Sequence, residues 1–169
     1  MRTLMLLRHA KSDWNAPTEG DFARPLNRRG RKTAAIMATQ VAALALPPQV
    51  IIASPAVRAM RTAEAVAEAL DGVEVKPEEA LYGAAPADML TLIHRLPKDV
   101  SCVMLVGHNP GMEELVHELG SDPDLLMKTC TLAVFECDGG WGKVGPGTCR
   151  LVRVLQARES AESSPVTAD

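Results

Sequence analysis

Apolar runs and helix-period patterns alternate along the chain. Residues 3–7 form a short, nearly unbroken apolar run, which predicts a strand buried on both faces. A polar loop with Pro and Gly follows. Residues 27–46 then repeat their apolar positions at helical spacing until Pro47-Pro48 stops them. The alternation continues with a strand at 50–53, a helix at 55–70 closed near Gly72, and a short strand at 73–76. A helix at 87–96 broken by Pro97, a strand at 102–106 and a helix at 111–119 complete the repeat of types. Residues 131–137 and 149–155 read as two further strands, joined by the Gly-rich segment 138–147 as a hairpin loop.

Continuous apolar strands between helices require a sheet covered on both faces. The pattern therefore predicts an α/β fold: a three-layer α/β/α sandwich on a mostly parallel mixed sheet, with the last two strands supplying the mixed part. There is no internal repeat and no linker, so residues 1–157 are expected to form one domain. Residues 158–169, rich in Ser, Glu and Ala without apolar periodicity, read as a disordered tail.

Composition changes the picture in two ways. Aromatics make up only 3% of the 169 residues, so the core must be built from Ala, Val, Leu, Ile and Met. The net charge of −3, without a long basic run, excludes a general nucleic-acid binder, which needs a positive surface to displace counterions. A local cationic pocket is still compatible with that balance. The apolar stretch at the N-terminus is too short for a signal peptide, and no stretch reaches the ~20 apolar residues of a spanning helix. A cytoplasmic protein with no membrane partner is expected. Cys102, Cys130, Cys137 and Cys149 form no CxxC pair, and the histidines are not interleaved with them at zinc-site spacing. They are expected as buried thiols, neither disulfide-bonded nor metal-bound. His94 and His117 fall in helical patterns and read as surface or interface residues.

The candidate chemistry sits at strand ends. In an open α/β sheet, ligands bind where loops leave the carboxyl ends of the strands. The first strand delivers Arg8-His9, the second Ser54-Pro55 with Arg58 one turn into the next helix, and the strand at 102–106 delivers Gly107-His108-Asn109-Pro110-Gly111. Ser54 is expected as the N-cap of that helix and Pro55 as its first residue. Arg8-His9 alone is a common dipeptide, and Arg58 with Arg61 one turn on would suit a solvated helix face. All three segments at strand ends of one chain bring two Arg and two His over one crevice, a site for a dianion. A neutral imidazole can take a phosphoryl group covalently while guanidinium groups hold its oxygens. Gly107–Gly111 has the strand–turn–helix setting of a G-x-S-x-G elbow, but Asn109 stands at the nucleophile position, which removes an esterase.

These motifs resemble the histidine phosphatase, or phosphoglycerate mutase-like, superfamily. Its nucleophile motif is similar to Leu7-Arg8-His9-Ala10, its second signature to the segment 54–64, and its late histidine to Val106-Gly107-His108. Residues 8–14 and Arg24-Pro25-Leu26-Asn27-Arg28-Arg29-Gly30 look like the SixA branch, the phosphohistidine phosphatases. The resemblance implies a phosphoglycerate mutase-like fold, His9 as phosphate acceptor, and Arg8, Arg58 and His108 as phosphoryl ligands, with Asn15 as a further phosphate contact. It implies no cofactor and no metal. The substrate class it implies is a phosphohistidine in a protein; a small phosphoester, a mutase-like phosphotransfer and a non-catalytic phosphate-binding protein are the alternatives. Larger members carry a carboxylic acid that protonates the leaving group, and here only Glu79 is a candidate for that role. The role of residues 18–29, a segment that could gate the pocket, is not read from the sequence.

Overall fold

The two-residue alternation of the strand β1 (Arg2–Arg8) divides the core. In the computed structural model, which describes residues 1–158, Met5 and Leu7 face one helical layer and Leu4 and Leu6 the other. All four are essentially fully buried. Burial of a side chain of this size stabilises by about 1.5–3 kcal/mol. The strand therefore has no free face and must sit at the centre of a sheet.

It does. The sheet has six strands in the order β3-β2-β4-β1-β5-β6, where β2 is Val50–Ala53, β3 Val75–Pro77, β4 Cys102–Gly107, β5 Thr131–Cys137 and β6 Cys149–Gln156. The strands β3, β2, β4 and β1 run parallel, while β5 pairs antiparallel with β1, and β6 with β5. This is the expected α/β sandwich on a mixed sheet. On one side α1 (Arg28–Ala42) and α2 (Val57–Ala69) cover Met5, Leu7, Ile51 and Met104 with Met37, Val41, Ala63 and Val66. On the other, α3 (Pro86–His94) and α4 (Gly111–Gly120) cover Leu4, Leu6 and Leu105 with Met89, Ile93, Met112 and Leu115. Small Ala positions on α1 and α2 let these helices pack closely on the sheet, which suits a core poor in aromatics.

Element ends depart from expectation for local reasons. Asn27 caps α1, its side chain accepting from the Gly30 N–H at 2.7 Å. Ser54 does not cap α2. Its Oγ accepts from the Ala56 N–H at 3.3 Å and meets His108 Nε2 at 2.7 Å, but α2 begins only at Val57 behind Ala56, with no side-chain cap. Helix α1 ends at Ala42, four residues earlier than the 27–46 pattern suggests. Pro86 opens α3, in the position where proline costs no hydrogen bond.

The cysteine expectation is corrected. Cys137 and Cys149 are directly opposite in the β5–β6 register, with Cα atoms 4.1 Å apart, and form a disulfide. Twelve residues of separation reveal nothing by themselves; the hairpin register creates the pair. Cys102 and Cys130 are buried free thiols, and burial pushes both up to about 12. No helix among the described residues is long and apolar enough to cross a membrane. Of the tail expected at 158–169, residues 159–169 lie outside the described residues.

Candidate active site

Strand register assembles the site. Arg8 of β1 pairs with Gly107 of β4, and Ala53 of β2 pairs with Val106 of β4. Three adjacent parallel strands thus end at one level, and Arg8-His9, Ser54 and His108 leave the sheet side by side. Arg8, His9, Arg58 and His108 all line one crevice of about 530 Å³.

His9 is 6% exposed and held by main-chain contacts on both sides: its N–H donates to the Gly107 carbonyl at 3.1 Å, and its own carbonyl accepts from Cys130 N–H at 3.0 Å. Its Nδ1 lies 2.6 Å from the Ala10 carbonyl oxygen. A carbonyl only accepts, so Nδ1 carries the proton and Nε2 keeps the lone pair. Burial lowers the His9 pKa to about 3 despite that carbonyl, and His108, Arg58 and Arg8 push the same way. The ring is therefore neutral across ordinary working pH. The Ala10 N–H donates to Thr62 Oγ at 3.0 Å, and Thr62 Oγ donates to the Arg58 carbonyl at 2.8 Å. This relay ties the exit of β1 to the turn of α2 that carries Arg58.

The His108 ring lies 5.1 Å from that of His9, centroid to centroid. Its Nε2 bonds Ser54 Oγ, while burial, and then Arg58, lower its pKa to about 4. Tyr82 packs edge-on against it at 5.5 Å. Asn109, in place of a serine nucleophile, serves as a fastener: its Oδ1 accepts from the Glu113 N–H at 3.1 Å and its Nδ2 donates to the Met127 carbonyl at 2.8 Å. Met127 O also accepts from Arg8 Nη1 at 3.1 Å. Gly111 is required next to it, because a Cβ there would collide with the Ala84 carbonyl oxygen.

The arginines converge on a carboxylate that the motifs did not flag. Arg58, 5% exposed, donates from Nη1 to the Asp21 carbonyl at 2.7 Å and from Nη2 to Asp21 Oδ2 at 2.8 Å. Arg24 Nη2 donates to Asp21 Oδ1 at 2.8 Å, and its Nη1 to Ser12 Oγ. Tyr82 O–H donates to Asp21 Oδ2 at 2.7 Å. Arg24 first, then Tyr82 and Arg58, hold the Asp21 carboxyl far below the usual carboxylate range against the opposing pull of desolvation. Asp21 is therefore ionised. The Nε atoms of Arg8, Arg24 and Arg58 and the Nδ1 of His108 are buried without a hydrogen-bond partner among the described residues. Three of these four atoms belong to guanidinium groups that line the crevice, so its charge suits an anion.

Asn15 and Glu79 are not brought to this site. Asn15 is exposed, its N–H closing a turn on Asp13 Oδ1 at 2.8 Å, and it lies outside the crevice lining. Glu79 is exposed on the single 3-10 turn Glu79–Leu81, whose following residue, Tyr82, enters the crevice instead. Asp21, Arg24, Tyr82 and Lys11 line the crevice without having been singled out. Arg24 lies inside the Arg24-Pro25-Leu26 motif, which was the available signal for it; Asp21 and Tyr82 stand in loops whose pairing appears only in three dimensions. His94 and His117 each contact a loop carbonyl, Val144 O at 2.7 Å and Leu125 O at 2.6 Å, and have no place in the crevice.

Residues 4–85 match the family model of the histidine phosphatase superfamily, branch 1. The chain is 33% identical to a protein from Agrobacterium tumefaciens assigned as phosphohistidine phosphatase SixA, covering 91% of this chain and 97% of that one with a TM-score of 0.74. A second structure, likewise assigned as SixA, from Nakamurella multipartitia, is 26% identical over 92% of this chain and 96% of that one, with a TM-score of 0.80. An uncharacterised chloroplast protein of Arabidopsis thaliana is 33% identical over 165 residues, 89% of this chain and 75% of its own length. With the fold, the strand-end motifs and these likenesses in agreement, the chain belongs to the histidine phosphatase superfamily, in its SixA-like branch.

Proposed function

We propose that this protein is a phosphohydrolase that forms a covalent phosphohistidine on His9 and removes phosphate from phosphohistidine in a protein substrate. The observation that carries the proposal is the fixed tautomer of His9: Nδ1 is bound to the Ala10 carbonyl, leaving the Nε2 lone pair as nucleophile. Nε2 attacks phosphorus, the bond to the leaving group breaks, and water then cleaves the new N–P bond to release phosphate and neutral His9. Arg8, Arg58 and His108 hold the equatorial oxygens, where charge builds in the transition state. The family supports phosphatase chemistry, and the arginine-lined crevice supports an anionic substrate.

The leaving group favours phosphohistidine over a phosphoester. Asp21 is the carboxylate among the crevice-lining residues, and it is held ionised, so it does not supply a proton to a departing alkoxide at neutral pH. An imidazole leaves more easily and relies less on such an acid. No step is routed through a metal ion, so a chelator should leave the rate unchanged. The test is transfer of labelled phosphate from a phosphohistidine protein, run beside a panel of small phosphoesters. Label should be trapped on wild-type protein and absent from His9→Ala; turnover by His9→Ala at the wild-type rate would end the proposal.

A further inference from the structure

A second pocket, of about 310 Å³, adjoins the catalytic crevice, and Lys11, Arg29, Lys128 and Arg158 line it. Lys11 and Thr129 line both, so the two spaces are neighbours. No carboxylate among the described residues lines the second pocket, although the chain as a whole carries a net charge of −3. Its floor is well fixed. The Lys11 carbonyl accepts from the Asn27 N–H at 3.0 Å, and Gly30 packs so close that a Cβ there would collide with the same oxygen. Arg158 Nη2 donates to Gln156 Oε1 at 2.7 Å, which lays the guanidinium along the wall.

The mouth of the crevice is unusual in a second way. The chain has five aromatic residues, and the three that are exposed gather there: Trp14 at 76%, Phe22 at 45% and Tyr82 at 40%. Trp14 and Tyr82 line the crevice, Phe22 packs edge-on against Tyr82 at 5.2 Å, and Arg24 lies 3.6 Å over the Trp14 ring. Exposed aromatics beside arginines are the composition of protein–protein contact surfaces.

We propose that the Lys11–Lys128–Arg158 pocket is a docking subsite for carboxylate side chains that flank the phosphorylated residue of an acidic phosphoprotein. The proposal rests on the phosphohistidine hydrolase assignment above. Charge complementarity selects the occupant, since a cationic pocket beside the reacting centre meets whatever the substrate carries next to its phosphoryl group. Cations at a rim act mainly on encounter and partner choice, and salt weakens them.

Two synthetic peptides with one central phosphohistidine test this, one flanked by Glu and one by Ala. Wild-type protein should favour the Glu peptide by about five- to tenfold in kcat/KM at low salt, as two surface ion pairs allow, and lose that preference at high salt. The Lys128→Ala/Arg158→Ala variant should hydrolyse the Ala peptide at the wild-type rate and show no preference. A preference that survives in the variant, or no preference in wild type while both peptides are hydrolysed, overturns the subsite and leaves the catalytic assignment standing. A small alkyl bisphosphate serves as the third probe. If wild type favours it over the monophosphate, shows no Glu preference, and loses the bisphosphate preference in the variant, the pocket serves small dianions and the docking proposal fails. Hydrolysis of neither peptide removes the parent assignment and the subsite together.

Discussion

Arg58 gives both of its terminal nitrogens to Asp21, Nη1 to the main-chain carbonyl at 2.7 Å and Nη2 to Oδ2 at 2.8 Å. The guanidinium expected to grip a phosphoryl group thus already holds an anion of the protein itself. Arg24 and Tyr82 bind the same carboxylate from other directions. A dianion entering the crevice meets a fixed negative charge on the fork it needs.

Replacing Asp21 by Asn keeps the shape and removes that charge. Inorganic phosphate, as a competitive inhibitor, should then bind about five- to thirtyfold more tightly, corresponding to ~1–2 kcal/mol for one like-charge contact near a protein surface. Inhibition constants for Asp21→Asn and wild type measure it. Weaker phosphate binding in the variant would show instead that Asp21 supports the fork rather than competing with its ligand.

Truncating the fork gives the complementary result. Arg58→Ala removes a charge-assisted donor from the phosphoryl oxygens, and kcat/KM should fall by about 2–4 kcal/mol of transition-state stabilisation, as for other preorganised donors. In that background Asp21→Asn should lose most of its effect on phosphate affinity, because the carboxylate no longer has Arg58 to compete for. A double-mutant cycle on phosphate inhibition reads the coupling directly.

The histidines set the pH response. His9 and His108 have pKa values lowered to about 3 and about 4, from 6.5. Both are neutral in the folded chain at pH 6, where the unfolded chain already takes up protons. Their contribution to stability is therefore fully present above about pH 6.5 and is lost as pH falls toward 3–4. Proton NMR titration of the free protein should show no His9 transition near 6.5, and urea denaturation should show stability rising with pH between about 4 and 6.5. A His9 titration near 6.5 would contradict the buried, carbonyl-bound ring.

Close backbone approach makes two glycines sensitive. A methyl at Gly111 collides with the Ala84 carbonyl, and one at Gly30 with the Lys11 carbonyl. Gly111→Ala and Gly30→Ala should each lower stability by about 1–3 kcal/mol, the usual cost of overpacking, although alanine favours helix. Denaturant midpoints measure this; an unchanged midpoint would mean the backbone yields without strain.

Much of the sheet was legible because residues such as Leu4–Leu7 and 102–106 are apolar on both faces, a pattern that only a covered strand explains. The convergence of Arg8, His9, Arg58 and His108 was legible for a related reason: each stands at or just beyond the carboxyl end of such a strand. Ser54 misled, since a serine before a proline looks like a cap, whereas its hydroxyl closes a turn on Ala56 and meets His108 while the helix starts at Val57. Asp21 and Tyr82 were beyond reach, being loop residues 61 positions apart whose bond depends on how two loops fold over the sheet. The disulfide failed similarly, for a strand register decides which cysteines face each other.

The acceptor that fixes the His9 ring is the carbonyl of the next residue in the chain. Every amino acid brings that carbonyl, so no replacement at position 10 can delete it. Evolution can retune this ring through its burial or the cations around it, but the acceptor that leaves Nε2 with its lone pair is supplied by the backbone, out of reach of substitution at position 10.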